Sequence, residues 1–247
     1  MEHNIAELRE RFSNRMDVLM YDYNLKNRIE AVCPEDIESS LEEYNDAADH
    51  YGIWVGTGCT KFIIGTYDCD YIVKFCPPYP DCEAGEMDYC AREVEVYEEA
   101  VRAGYADKFA WCAKLFDYEV DGYIIPMYVM EWCQCSYDMI DDEMDDWHYT
   151  KFCSSHGITK GEDDAYEKYC DSRNDHNVEY DERMMEWAYS VWGLDYHNPE
   201  HYDFCRFMRD MSINDIHAGN WGWCNNRLVL VDYSGYGENL DCRSIHY

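Results

Sequence analysis

The sequence predicts an α+β protein with strands and helices segregated along the chain, and three observations carry that prediction. The apolar period is helical near the amino terminus, strand-like between Tyr51 and Phe75, and helical again from Met87. Glycine-bearing turns, at Gly56-Thr-Gly58, Gly65 and Asp121-Gly122, separate paired apolar runs as antiparallel hairpins require. Near the carboxyl end, Trp221–Trp223 and Leu228–Val231 are divided by Cys-Asn-Asn-Arg, which reads as a tight hairpin.

Taken in order, Ile5, Leu8, Phe12, Met16 and Leu19 recur at three- or four-residue intervals and form one apolar stripe. A second helix is expected after Pro34, through Ile37, Leu41 and Tyr44 to about His50. Residues 1–50 thus read as a helical extension packed on the strands that begin at Tyr51. Tyr51–Gly65 reads as strand, turn, strand, and Tyr71–Phe75 as a third strand. Met87–Ala103 is a helix candidate in which Glu93 is followed by Val96, Tyr97 and Ala100 at +3, +4 and +7, placing it on the inward face. Glu95 is followed by Glu98 and Glu99 and belongs to the wet face. Ala110–Phe116 and Tyr123–Met130 are two more strands.

The remainder reads as mainly helical. Asp138–Asp146 holds six carboxylates among nine residues, and an exposed helix face is the plain alternative to a multi-carboxylate metal site. Residues 154–180 read as a loop or insertion. Met184–Trp192 and Pro199–Met211 read as helices, the second with Phe204, Phe207, Met208 and Met211 as a core stripe.

With 247 residues and 16% aromatics the chain can bury a sizeable core, so its acidity does not imply disorder. The formal charge of −32 argues against binding nucleic acid or anionic membranes, since no lysine or arginine cluster exists to replace counterions. It permits a basic protein partner, or mimicry of nucleic-acid charge. No apolar run approaches the ~20 residues that span a bilayer. The amino terminus carries acidic residues and no signal-peptide core, so a cytoplasmic protein is expected. The 14 cysteines include no C-x-x-C pair, and reduced thiols are the expectation. Cys153, His156 and His148, or His197, His201 and Cys205, are zinc alternatives, but the first has no evident fourth ligand and Asn198-Pro199 leaves His197 outside its helix.

The chemistry-bearing residues lie in Met211–Tyr236. Asp215 is followed five residues later by Asn220, and Asp232 comes twelve residues after that. The hairpin between them brings Asn220 and Asp232 side by side, an amide oxygen beside a carboxylate, as a hard cation such as Mg²⁺ requires. Upstream, Gly56 and Gly58 let backbone N–H groups approach a phosphate. Lys74, in Tyr71-Ile-Val-Lys-Phe75, is costly to bury without an acidic partner, and the inward Glu93 lies nineteen residues on.

These residues resemble the catalytic core of the protein-kinase-like superfamily. Asp215-Ile-His-Ala-Gly-Asn220 is closer to the D-L-H-x-G-N of aminoglycoside and choline kinases than to the loop of eukaryotic protein kinases. Ile213-Asn214 replaces the usual His-Arg or His-Gly before the Asp, and Asp232-Tyr233-Ser234 replaces D-F-G.

The resemblance implies a bilobal fold. A five-stranded antiparallel small lobe would occupy 51–133 and a reduced, mainly helical large lobe 134–247. It implies ATP and Mg²⁺: Gly56 and Gly58 over the phosphates, with Lys61 in place of a third glycine, and Lys74 held by Glu93. Met130 would be the gatekeeper, with the main chain of Glu131 and Cys133 on adenine. Asn220 and Asp232 would hold the metal, and Asp215 would orient the hydroxyl of a protein Ser/Thr or a small molecule. The rival expectation is a pseudokinase or acidic decoy that occupies a basic partner. The resemblance covers about Tyr51–Gly235; only fifteen residues follow Asp232, too few for an activation segment and A-P-E motif.

Overall fold

Side-chain alternation along Tyr71–Phe75 sorts the first half of the chain into two faces. In the computed structural model, which describes residues 4–22, 53–57, 61–66, 70–76, 88–120, 123–162, 164–176 and 179–235, both faces are covered by helices. The described residues fall into two units, one up to Ala106 together with Ala110–Trp132, the other Asp107–Phe109 together with the chain from Cys133.

The first unit contains α1 (Ile5–Asp22), β1 (Ile53–Thr57), β2 (Phe62–Thr66), β3 (Tyr71–Phe75), α2 (Tyr89–Ala103), β4 (Cys112–Val120) and β5 (Tyr123–Glu131). The strands form one antiparallel sheet in the order β1-β2-β3-β5-β4. Ile64 pairs with Val73 and Val73 with Val129, so the odd residues of β3 share one face. That face buries Phe62, Val73, Phe75, Leu115 and Val129, and Leu8 and Phe12 of α1 close it. Phe62 and Phe75 stack with centroids 5.4 Å apart. Each such side chain contributes about 1.5–3 kcal/mol by burial. The amino-terminal helix is therefore part of this core. The expected second helix near His50, and Gly58, lie outside the described residues.

The other face carries Lys74 opposite Tyr128, and Ile72 opposite Met130, and it receives α2. Asp88 caps that helix, accepting from the N–H groups of Cys90 and Ala91, and Gly104 ends it at φ 85°, where a Cβ is unfavourable. The Tyr128 hydroxyl donates to Asp88 at 2.5 Å and ties the cap to the sheet.

The second unit holds α3 (Tyr137–His156), α4 (Ala165–His176), α5 (Tyr180–Val191), α6 (Tyr202–Asp210) and the hairpin β6 (Trp221–Cys224) and β7 (Arg227–Leu230). Pro199–His201 forms a 3-10 turn, capped by Asn198, before α6 begins. Phe109 is buried here against the rings of Phe204, Phe207 and Tyr233.

Of the loop or insertion expected at residues 154–180, the loop reading is corrected. The α3 helix runs on to His156, ends at Gly157 with φ 65°, and Ala165–His176 is helical. Ala165 and Tyr169 pack with Tyr149 and Cys153, a stripe too narrow to show through so polar a segment.

The acidic run Asp138–Asp146 lies on α3 and serves the unit's own donors. Asp141 accepts from Tyr180, Glu143 from Trp223 Nε1, and Asp146 from Lys160. Asp145 accepts from Tyr166, Tyr169 and Arg183. Its carboxylates are thus distributed around the helix. No helix among the described residues is long and apolar enough to cross a membrane.

Candidate functional site

In the first unit the candidate site is built on an ion pair. Lys74 projects from β3, one residue before its end, and Glu93 from the second turn of α2. The Lys74 Nζ lies 2.8 Å from Glu93 Oε1, with side-chain exposures of only 4% and 2%. Val96 and Ala100 are buried on the same helix, as the spacing behind Glu93 requires, while Glu95 is exposed and pairs with Arg92. Nζ of Lys74 also lies 3.8 Å from Met130 Sδ, the residue read from sequence as gatekeeper.

Sequence reasoning missed Lys61. It precedes β2, is buried, and its Nζ reaches the same Oε1 of Glu93 at 2.7 Å. Two ammonium groups are thus gathered on one carboxylate oxygen, a charge-assisted arrangement that fixes both side chains. Nothing in the local sequence pattern around Lys61 marks it as inward-facing.

Main-chain groups at both residues expected to meet adenine are already bonded, the Cys133 carbonyl accepting from Cys135 Sγ at 3.3 Å. The Glu131 N–H donates to the Trp111 carbonyl at 2.9 Å, and the Glu131 carboxylate accepts from the Trp111 N–H at 2.9 Å. That N–H is committed to the neighbouring strand. Gly56, expected in the turn, instead lies within β1, paired with Ile63, because the strand runs on to Thr57.

In the second unit the candidate site is a loop and a hairpin. Asn225 and Asn226, with φ of 50° and 62°, make the two-residue turn that joins β6 to β7. Trp221 pairs with Leu230, and beyond that pair the Val231 N–H donates to the Asn220 carbonyl at 2.9 Å. Asn220 is thereby set beside the chain one residue before Asp232. The Asn220 side-chain amide donates to the Asp215 backbone carbonyl at 2.9 Å, so its Oδ1 is the atom it can offer to a cation. Ser234 Oγ donates to Asp232 Oδ1 at 3.3 Å, and Tyr233 is fully buried against Phe109.

The His-Ala-Gly-Asn spacing has a local cause. Ala218–Asn220 is a 3-10 turn whose Gly219 N–H donates to His217 Nδ1 at 3.1 Å. An acceptor at Nδ1 places the proton of the neutral ring on Nε2. That nitrogen lies 3.5 Å from Asp215 Oδ1. A Cβ at Gly219 would stand 2.9 Å from the His217 ring, so a larger residue there would displace the imidazole.

Asp181 of α5 is a second residue that the sequence did not point to. Burial, and then the negative charges of Glu179 and Asp215, push its carboxyl above the ordinary aspartate range, against the opposing effect of His217. Its separation from Asp215 by more than thirty positions leaves no sequence signal. An open cavity of about 520 Å³ lies elsewhere, along α3, lined by Asp142, Glu143, Asp146, Trp147, Thr150 and Trp187.

Protein-family models give no match to this chain, and the curated proteins contain no matching relative.

Proposed function

We propose that the chain is an ATP- and Mg²⁺-dependent phosphotransferase that moves the γ-phosphate of ATP to a hydroxyl of a protein Ser/Thr or a small molecule. The observation that carries this reading is the buried Lys74–Glu93 pair at 2.8 Å, on a central strand and its covering helix. A buried lysine held by one carboxylate is positioned to contact anionic oxygen without searching rotamers.

Lys74 binds the nucleotide phosphates, and Glu93 orients it. In this reading Gly56 and Gly58 would cover the phosphates, and Met130, Glu131 and Cys133 would border the base. Asn220 and Asp232 are the residues that would hold Mg²⁺, and their oxygen donors fit a hard cation. The metal, when bound, offsets charge on the phosphate oxygens.

Asp215 accepts the proton of the acceptor hydroxyl as its oxygen bonds to the γ-phosphorus, while the bond from that phosphorus to the β–γ bridging oxygen breaks and ADP leaves. His217 donates towards Asp215 through Nε2 and holds the carboxylate in orientation. Little further covalent work is asked of the protein, because positioning and electrostatics dominate phosphoryl transfer.

The formal charge of −32 favours a second reading, a pseudokinase or acidic decoy that occupies a basic partner without catalysis. One experiment separates the two. Phosphate transfer from ATP to a basic protein and to a panel of small alcohols is measured with Mg²⁺, alongside ATP affinity. Asp215→Asn should leave affinity nearly intact and lower transfer by roughly 10²-fold or more. Equal transfer by both proteins would overturn the catalytic reading, and a salt-sensitive basic partner would then favour the decoy.

A further inference from the structure

We propose that Cys76, Cys90 and Asp88 form a binding site for one borderline-soft divalent metal of the zinc type, clamping the end of β3 to the start of α2. One ligand atom from each of the three lies within 4.8 Å of the others. The two sulfurs are 3.8 Å apart. Zinc–sulfur bonds of about 2.3 Å at a tetrahedral angle set two sulfurs about 3.8 Å apart, so both thiolates can meet one ion without a shift of backbone. A disulfide instead needs the sulfurs at about 2.05 Å.

The carboxylate is suited to join them. Asp88 Oδ1 already accepts two N–H bonds, from Cys90 at 3.1 Å and Ala91 at 3.0 Å, which fill its two lone pairs. Oδ2 accepts one bond, from the Tyr128 hydroxyl at 2.5 Å, and retains a lone pair for a metal. These bonds are the kind of outer support that fixes a ligating carboxylate in place. Cys90 is buried in the first turn of α2, and Cys76 is partly exposed, which admits the ion and a water as fourth ligand.

Two thiolates select against Mg²⁺ and Ca²⁺ and for zinc-type ions, so this centre differs in class from the Asn220–Asp232 donors. On binding, two S–H bonds break, two sulfur–metal bonds form, and the protons pass to the buffer. Cys76 stands two residues past Lys74 and Cys90 three residues before Glu93, so the clamp would hold together the strand and helix that carry the ion pair. Metal binding here is independent of phosphotransfer, and its failure leaves that proposal untouched.

The test uses the full, reduced, chelator-stripped chain under anaerobic conditions, titrated with Co²⁺ as the spectroscopic probe and then with Zn²⁺ in competition. The first equivalent of Co²⁺ should produce cobalt–thiolate charge-transfer absorption and tetrahedral ligand-field bands, which one equivalent of Zn²⁺ abolishes. Cys76→Ser should lose about half of the charge-transfer intensity, and the Cys76→Ser/Cys90→Ala double variant all of it. Zn²⁺ should raise the melting midpoint of the wild type and not that of the variants. Melting of metal-free Cys76→Ser, altered at a partly exposed position, checks that the fold is kept. First-equivalent spectra identical in wild type and double variant, placing the ion on other cysteines, would overturn the proposal. So would a wild type that gives no cobalt–thiolate absorption.

Discussion

Lys61 places its ammonium 2.7 Å from Oε1 of Glu93, the same oxygen that Lys74 contacts at 2.8 Å. All three side chains are nearly excluded from water. The carboxylate is therefore the shared anchor of two cations, Lys74 on β3 and Lys61 just before β2. Its loss is expected to matter more than the loss of either lysine.

Glu93→Gln should destabilise the chain by about 3–5 kcal/mol, the scale for removing one partner of a buried ion pair. The triple change Glu93→Leu with Lys61→Met and Lys74→Met should recover much of that, because apolar residues of similar volume replace buried ions at little cost. Urea unfolding midpoints check both. A Glu93→Gln cost under about 1 kcal/mol would show that the carboxylate is not the anchor.

Gly219→Ala should act on chemistry more than on stability. The added methyl would stand 2.9 Å from the His217 ring and would turn it from the Gly219 N–H and from Asp215. Phosphate transfer should fall by about tenfold or more if the imidazole orients the base, while the melting midpoint moves little. A melting loss as large as that of Glu93→Gln would assign Gly219 a purely structural role.

Asp145 makes stability depend on acid. Burial alone would raise its carboxyl, but hydrogen bonds from Tyr169, Arg183 and Tyr166, with the Arg183 charge, hold it below its ordinary 3.8. The folded carboxylate thus binds its proton less readily than the unfolded one. The contribution is complete above 3.8 and fades as pH falls through the lower folded value. Asp145→Asn should flatten the acid limb of a stability-versus-pH curve, and an unchanged limb would exclude Asp145 as its source.

Gly222→Ala should strain the hairpin. A Cβ there would meet Cys135 Sγ at 2.6 Å, Cys133 Cβ at 3.0 Å and the Gln134 carbonyl oxygen at 3.2 Å. Overpacking of this kind costs about 1–3 kcal/mol. Chemical denaturation of Gly222→Ala measures it, and Cys135→Ala in the same chain should return part of the loss by freeing the nearest contact.

Local pattern reveals some of these relationships and conceals others. Glu93 could be chosen over Glu95 from sequence because Val96 and Ala100 follow it at helical spacing and both are buried. The Asn225-Asn226 turn was visible because two residues at positive φ favour such side chains. Lys61 was not, since a lysine beside a glycine turn has no local mark that sends it inward. The α4 helix was hidden because its buried side, Ala165 and Tyr169, is narrow and its partners Tyr149 and Cys153 belong to another helix. Asp181 comes near Asp215 and His217 only through tertiary packing, so no local pattern marks it.

The docking of α1 also bears on when the molecule can fold. Arg9 Nε donates to the carbonyl of Leu115, a sequence separation of 106, and Leu8 and Phe12 share their core with Leu115 and Val129. On a ribosome that adds about 5–20 residues per second, α1 emerges roughly 5–20 s before its sheet exists. For that interval its apolar stripe has only solvent, a chaperone or another nascent chain to meet. Contacts so distant in sequence also slow closure of the core. Within its unit, α1 emerges before the strands it docks on.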